Sequence, residues 1–244
     1  MIAQLRAELL KIATTRTTAA LGLGAVAIVL LLSLLTGLLM PLESIVQEDN
    51  QRSVLTSGHA ATLFAVLIGV MLVTSEFRHG TIRPTLLYEP RRPLVIVAKA
   101  IAGLVAGLVL GVVTELLAIV VGVVVIDARG VERVLGNDDI ARFAFGGVVM
   151  IALWSTIGVA VGALVRHQVG AIVGLLAYLF VVENLVFALA PSVGRYLPGE
   201  AAQAVAGETA DRLLATTAGA AVLIAYALVL TAAGAAMTSI RDVD

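Results

Sequence analysis

Long apolar runs separated by short polar segments make up most of the chain. Six of these runs are long enough, and carry few enough charges, to form helices that cross a bilayer, which takes about 20 residues. The runs cover residues 19–40, 58–74, 94–126, 143–165, 169–190 and 215–237. The pattern predicts an all-α polytopic membrane protein in which residues 1–244 form a single transmembrane domain.

Residues 1–18 precede the first run and predict a helix that lies at the membrane surface. Four apolar residues fall on one helical stripe, namely Ile2, Leu5, Leu9 and Ile12. Three charged residues fall elsewhere on the helix, namely Arg6, Glu8 and Lys11. A stripe of this kind is typical of an interfacial helix whose apolar face rests on lipid.

Residues 75–93 form the one strongly basic segment between two runs, and Lys99 follows soon after. Because its charged side chains cannot sit in hydrocarbon, we expect the segment to lie in water or among lipid headgroups. Apolar and polar residues recur at roughly helical spacing over 81–87, which predicts a short interfacial helix closed by Pro90 and Pro93. Such a helix offers a surface to another protein.

Residues 191–214 lie between the fifth and sixth runs. They are too polar to span a membrane and too apolar for an ordinary loop, and they contain Pro198, Gly199 and Gly207. We expect short helices here that dip into the outer leaflet as an external re-entrant segment.

The distribution of charge predicts the orientation. Six crossings put both termini on one side, and these termini together with the loops after the second and fourth runs hold ten of the sixteen lysine and arginine residues. Cytoplasmic loops carry such an excess. We therefore expect a multi-pass protein of the plasma membrane with both termini and the basic segment in the cytoplasm.

Composition narrows the function classes. Hydrophobic residues make up 60% of the chain and the mean hydropathy is +1.04, which excludes an ordinary soluble domain. With a net charge of −1 and no basic tail, we expect no nucleic-acid partner. There is no cysteine and there are three scattered histidines, so we expect no metal site. Motifs for a P-loop, a nucleophile elbow and a zinc protease are missing, so we expect no catalytic residues and no enzyme.

Small residues within the runs predict where helices pack. Gly103, Gly107 and Gly111 recur every four residues in the third run, and Glu115 continues the row. Small residues at this spacing let two helix backbones approach closely, so we expect this face to meet protein. Two further pairs repeat the spacing in the fourth and fifth runs, namely Gly158 with Gly162 and Gly170 with Gly174.

Glu115 and Glu183 lie in the middle of their runs, where an ionised carboxylate is costly. Each should be protonated, paired or in contact with water. One interpretation is structural: Glu115 bonds a neighbouring helix, and Glu183 together with Asn184 does the same in the fifth span. The other interpretation places one or both on a translocation path, with Glu115 favoured because it shares the small-residue face.

Two stretches resemble permease subunits of the type-2 family of ATP-binding-cassette (ABC) exporters. One is Ser-Glu-Phe-Arg-His-Gly-Thr-Ile-Arg-Pro-Thr-Leu-Leu at 75–87, followed by Pro-Arg-Arg-Pro at 90–93 and Lys99. The other is Glu-Leu-Leu-Lys at 8–11 with Thr-Thr-Arg-Thr-Thr at 14–18. The resemblance implies six spans, a surface helix before the first, and a cytoplasmic coupling helix between spans two and three. It implies that Glu76, Arg78, Gly80, Thr81 and Arg83 contact the ATPase.

The same resemblance implies the partners. The ATPase would be a separate chain that binds ATP and magnesium, and this chain would bind no cofactor itself. A second permease half, identical or homologous, and the lipid bilayer would complete the assembly. Two alternatives stay open: a proton-coupled carrier that uses Glu115 and Glu183, and a membrane scaffold that transports nothing. No cluster of charged residues indicates which substrate is transported.

Overall fold

The structure, a computed structural model, describes residues 1–89, 91–208 and 213–240. Its helices are α1 (Ile2–Thr14), α2 (Arg16–Leu39), α3 (Leu42–Ile45), α4 (Glu48–Leu55), α5 (Thr62–Arg78), α6 (Ile82–Tyr88), α7 (Arg92–Ala128), α8 (Asn137–Val165), α9 (Gln168–Ala177), α10 (Glu183–Leu189), α11 (Pro191–Gly194), α12 (Pro198–Val205) and α13 (Thr216–Ile240). A 3₁₀ turn, Ser57–Ala61, leads into α5, and a π-helical turn, Tyr178–Val182, joins α9 to α10.

The described residues contain six helical segments that are long and apolar enough to cross a membrane. These are α2, the 3₁₀ turn with α5, α7, α8, the unit from α9 to α10, and α13. The all-α prediction with six candidate spans is therefore confirmed at this level.

Two spans are longer than their apolar runs. The 37 residues of α7 extend about 55 Å, well beyond a hydrocarbon core of about 30 Å, so the helix tilts or projects from it. Pro93 lies in the first turn of α7, where a missing N–H costs nothing. α8 begins six residues before the run predicted at 143, because Asp138 and Asp139 fit the positive end of its dipole.

The centre of the bundle is α8, which packs mainly against α7, α5 and α13. The row of glycines on α7 faces α8, as expected. A Cβ atom added at Gly107 would lie 2.7 Å from Ala152 Cα and 2.9 Å from the Ile151 carbonyl oxygen. Because both are backbone atoms, only glycine permits this approach.

The glycine pair of the fourth span packs against the backbone of another helix, as the row on α7 does. The glycine pair of the fifth span does not. Gly158 and Gly162 lie against the backbone of α5, at Val66 and Val70. In contrast, a Cβ atom at Gly174 would have no described atom within 4 Å, and Gly170 meets only its own helix cap at His167 and neighbouring Val165. The prediction of close packing at this pair is not met among the residues that the structure describes.

The bundle has two distinct ends. The α6 end carries α1, α6, the first turns of α7 and the tight turn between α8 and α9. In that turn Arg166 adopts a left-handed conformation (φ 60°) and donates to the Met237 carbonyl oxygen at 3.0 Å. The last turn of α13 therefore also lies at this end, so α1 and the end of α13 lie at the same end of the bundle.

The opposite end, which we call the α4 end, carries α3, α4, α11 and α12. Gln51 is fully buried there and bridges to the segment after α7: its Nε2 donates to the Glu132 carbonyl at 2.8 Å, and its Oε1 accepts from the Val134 amide at 3.0 Å. Arg52 donates to the Gly207 carbonyl oxygen. The short helices expected within 191–214 are present as α11 and α12, and residues 209–212 lie outside the described residues.

The glycine contacts predict a specific stability effect. Gly107→Ala should lower the free energy of unfolding by about 1–3 kcal/mol, because the added methyl group forces α7 away from the α8 backbone. Gly174→Ala is the matched control and should change it by less than about 0.5 kcal/mol. Unfolding of the purified variants in detergent by added SDS measures both. Equal effects of the two substitutions would contradict the packing described here.

Candidate functional site

The segment between α5 and α7 forms a helix with one attached and one exposed face. Gly80 ends α5 in a left-handed conformation (φ 68°), which turns the chain into α6. Ile82 at the start of α6 is 2% exposed and anchors it to the bundle. Leu87 and Tyr88 at the other end are 83% and 77% exposed. The predicted short helix at 81–87 is thus found one residue later, and Pro90, expected to close it, lies outside the described residues.

Behind α6 lies a buried lysine that joins three helices. Lys99, near the start of α7, is fully buried. Its Nζ atom lies 2.8 Å from Glu8 Oε2 on α1 and 2.8 Å from Glu76 Oε1 on α5, and it donates to the Leu72 carbonyl at 3.0 Å. The contacts with Glu8 and Leu72 are hydrogen bonds, and the contact with Glu76 is an ion pair.

Lys11 of α1 completes the arrangement. It donates to Glu76 Oε1 and to Glu8 Oε1, and Gln4 donates to Glu8 Oε1 at 3.0 Å. Partial burial by itself would lower the pKa of Lys11, but hydrogen bonding and charge attraction from Glu76, with a further contribution from Glu8, outweigh burial and raise that pKa. Two carboxylates and two ammonium groups therefore form a neutral unit, which we call the ionic cluster (Glu8, Lys11, Glu76 and Lys99).

The ionic cluster corrects one sequence-based expectation. Glu76 was expected at the surface as a contact for another protein, but it is 6% exposed and its carboxylate points into the bundle. On α1, the buried residues are Gln4 and Glu8, whereas Ile2 of the apolar stripe is 72% exposed. For both Glu76 and Glu8, a buried lysine supplies the countercharge that makes burial of the carboxylate tolerable.

The other predicted contact residues are exposed, at the end of α5 and around the start of α6. These are Arg78, Gly80, Thr81 and Arg83. Arg78 Nη1 donates to Gln168 Oε1 at 3.2 Å, so it also ties this surface to the start of α9. The surface combines cationic groups with the apolar side chains of Leu87 and Tyr88.

Glu115 is 1% exposed and lies against the 3₁₀ turn before α5 and against α8. Its Oε1 atom is 3.7 Å from His59 Nε2, and neither atom has a hydrogen-bond partner among the described residues. Glycines make the space: a Cβ atom at Gly58 would lie 2.8 Å from the carboxylate, and one at Gly147 would lie 2.7 Å from His59 Cδ2. The carboxylate faces protein, as the small-residue row predicted.

Glu183 has different partners. Its Oε1 atom accepts from the amides of Gly199 (2.6 Å) and Glu200 (3.2 Å) at the start of α12. A carboxylate is favoured at a helix N-terminus, so the contact fastens α12 to the fifth span. This agrees with the structural interpretation of Glu183. Asn184, which was grouped with it, is exposed and donates to Leu179 and Phe180 carbonyls of its own helix, where the π-helical turn leaves them available.

Sequence reasoning missed three of these features: the burial of Glu8, the bridging role of Lys99 and the contact of His59 with Glu115. One signal was available. Lys99 interrupts an otherwise apolar run, and a charge in such a position calls for a partner. Nothing local identifies that partner, because Glu8 lies 91 positions away.

Comparison with known proteins adds no relative. No protein-family model matches the chain, and no curated protein matches it. Within the described residues, no group of three or more histidine, aspartate or glutamate side chains is placed to hold a metal ion.

The ionic cluster predicts a large effect of one substitution. Lys99→Met should lower the free energy of unfolding by on the order of 3–5 kcal/mol, because it leaves Glu8 and Glu76 buried without their shared cation. Lys11→Met is the matched control and should cost clearly less, since Lys11 has a side chain that is 45% exposed. Thermal unfolding in detergent measures both variants. A Lys99→Met protein as stable as the wild type would contradict the cluster.

Proposed function

We propose that this chain is the membrane-spanning permease subunit of a type-2 ABC exporter, driven by a separate ATPase subunit. In this proposal the protein spans the plasma membrane six times, and its α6 end faces the cytoplasm. ATP and magnesium bind to the ATPase, and a second permease half pairs with this chain. The family is proposed because residues 75–93 and 8–18 resemble its permease subunits.

The observation that carries the proposal is the two-sided character of α6. One side is fixed: Ile82 is buried, and Glu76, six residues earlier, is held by Lys99 and Lys11. The other side exposes Arg83, Leu87 and Tyr88. A helix used only to connect two spans needs no such exposed apolar and cationic face, whereas a helix that transmits force to a partner needs both faces.

The exposed face also specifies the chemistry of the partner. Arg78 and Arg83 favour a partner surface with acidic groups. Leu87 and Tyr88 favour an apolar cleft between those acidic groups. This combination suits a helix that lies in a groove of another protein. We therefore place the docking groove of the ATPase against α6, with Gly80 and Thr81 at its edge.

In this proposal, displacement of α6 passes to the rest of the bundle through the helices next to it. The ionic cluster joins the end of α5, the start of α7 and α1, so displacement of α6 moves these elements together. α5 and α7 both pack on α8 through glycine contacts that leave little freedom for sliding. The ATPase can shift the balance between inward-facing and outward-facing states only if it binds them with different affinity, so the contact at α6 must change with nucleotide state.

One observation favours an alternative. Glu115 and His59 form a buried polar contact away from the ionic cluster, and two titratable groups at this distance could serve a proton-coupled carrier. Glu183 does not support that alternative, because its carboxylate is engaged at the start of α12. A carrier of this kind would transport without any ATPase, and it would leave the exposed face of α6 without a role. A scaffold that transports nothing would likewise bind its partner without coupling to nucleotide.

The proposal predicts the effect of reversing charge on α6. The double variant Arg78→Glu/Arg83→Glu should insert and fold normally, yet bind the ATPase about tenfold more weakly, since each reversal sets like charges against the partner. Transport and stimulation of ATP hydrolysis should fall with it. Assays of both activities in proteoliposomes that contain the complete transporter measure the loss.

The matched control reverses two arginines at the α4 end. Arg133→Glu/Arg142→Glu changes the net charge by the same amount, and both side chains are exposed. This control should leave binding and stimulation unchanged. Normal coupling in the Arg78/Arg83 variant, or an equal loss in the control, would overturn the docking assignment.

A further inference from the structure

A cavity with several charged and hydroxyl-bearing lining residues lies beside the ionic cluster at the α6 end, and we call it the headgroup cavity. It has a volume of about 430 Å³, within the range of about 300–1,000 Å³ typical of small-molecule sites. Lys11, Glu76 and His79 line it together with serine and threonine hydroxyls from α1, α2, α5 and α6. Charged and hydroxyl-bearing side chains therefore face a space whose lining is otherwise apolar.

An apolar groove of about 420 Å³ lies next to the headgroup cavity, and we call it the acyl groove. It is formed by α1, α2, α5 and α7, and its lining is almost wholly aliphatic. Ile12 and Thr18 line both spaces, so the two are adjacent. Along α2 the groove runs from Thr18 to Val26, about 12 Å, which is close to the hydrocarbon depth of one leaflet.

Two groups that line the headgroup cavity have a hydrogen-bonding position that no described residue fills, one as an acceptor and one as a donor. Glu76 Oε2 has no hydrogen-bond partner among the described residues, although the side chain is more than nine-tenths buried. Lys11 Nζ donates to two carboxylates and has a third donor to give, and its side chain is 45% exposed. The residues that line the cavity therefore include one buried carboxylate oxygen without a described partner and one ammonium group with a donor to give.

We propose that the headgroup cavity and the acyl groove together bind one glycerophospholipid that carries a primary amine, such as phosphatidylethanolamine. The lipid phosphate accepts from Lys11 and from the surrounding hydroxyls, and the lipid ammonium donates to Glu76. One acyl chain fills the groove along α2. Charge-assisted hydrogen bonds of this kind are roughly twice as strong as neutral ones, so they set the choice of headgroup.

The hydrogen-bond donors and the net charge of the headgroup distinguish phosphatidylethanolamine from the other common lipids. Phosphatidylcholine has the same net charge as phosphatidylethanolamine but lacks an N–H donor for Glu76. Phosphatidylglycerol likewise has no ammonium group to donate to Glu76, and it carries a net negative charge. The primary amine is therefore the feature that distinguishes the preferred lipid.

The test uses native mass spectrometry of the purified full-length chain, with each of the three lipids added at equal concentration and with identical acyl chains. We expect one phosphatidylethanolamine to be retained per chain, at least about tenfold more than phosphatidylcholine, which corresponds to about 1.4 kcal/mol. Equal retention of all three lipids, or preferential retention of phosphatidylglycerol, would overturn the assignment of the headgroup. This comparison needs only the wild-type protein.

A second arm tests the acyl groove. Gly22 lines the groove, and a Cβ atom there meets nothing within 4 Å, so Gly22→Leu fills the groove without straining the fold. It should reduce lipid retention by about tenfold. Gly174→Leu is the matched control, since Gly174 is also a helical glycine with open space beside it and lies outside both spaces. Retention by Gly22→Leu equal to that of Gly174→Leu would contradict the groove.

A third arm separates the lipid from its free headgroup. Glycerophosphoethanolamine carries the phosphate and the amine without acyl chains, and it should fail to displace the bound lipid at equal concentration. Displacement would mean that the cavity binds a soluble phosphate compound rather than a membrane lipid. All three arms use the permease chain without an ATPase, so their failure would leave the proposed transport function untouched.

Discussion

The arrangement of the helices at the α6 end depends on one buried ammonium group. Lys99 can be buried within the bundle only because Glu8 and Glu76 surround it, and each carboxylate is in turn buried only because Lys99 is there. The three side chains come from α1, α7 and α5, so a single electrostatic requirement determines how these helices meet. Lys11 adds a second cation at the rim, where the cluster opens toward the headgroup cavity.

The glycine contacts impose the complementary constraint within the bundle. α5 and α7 approach α8 so closely that several positions accept no side chain at all, and such contacts fix distance more rigidly than exchangeable aliphatic packing does. The ionic cluster therefore acts on helices that are already constrained along their length. In the proposed exporter, this pairing would allow a push on the short α6 to reach the far end of α7, where Glu115 lies against His59.

The sequence was informative wherever the signal is local. Span number, the tight turn at Arg166, the short helix after Gly80 and the packing face of Gly103, Gly107 and Gly111 all follow from runs and periodicities of a few residues. The pattern failed where a partner is distant in sequence. Glu8 looked like a solvated charge and Glu76 like a surface contact, because neither shows its bond to Lys99. The pair Gly170 and Gly174 failed for another reason: spacing shows that a close approach is possible, but not that a helix is present to make it.

The central claim is that an ATPase subunit contacts the exposed face of α6. A photoreactive benzophenone side chain at position 88, activated in intact cell membranes, measures this directly, because Tyr88 is 77% exposed and lies outside the ionic cluster. The account predicts a covalent product with a nucleotide-binding ATPase subunit, whose yield changes when a non-hydrolysable nucleotide is supplied. Crosslinks to lipid alone, or modification of position 88 by a membrane-impermeant reagent applied from outside the cell, would contradict it.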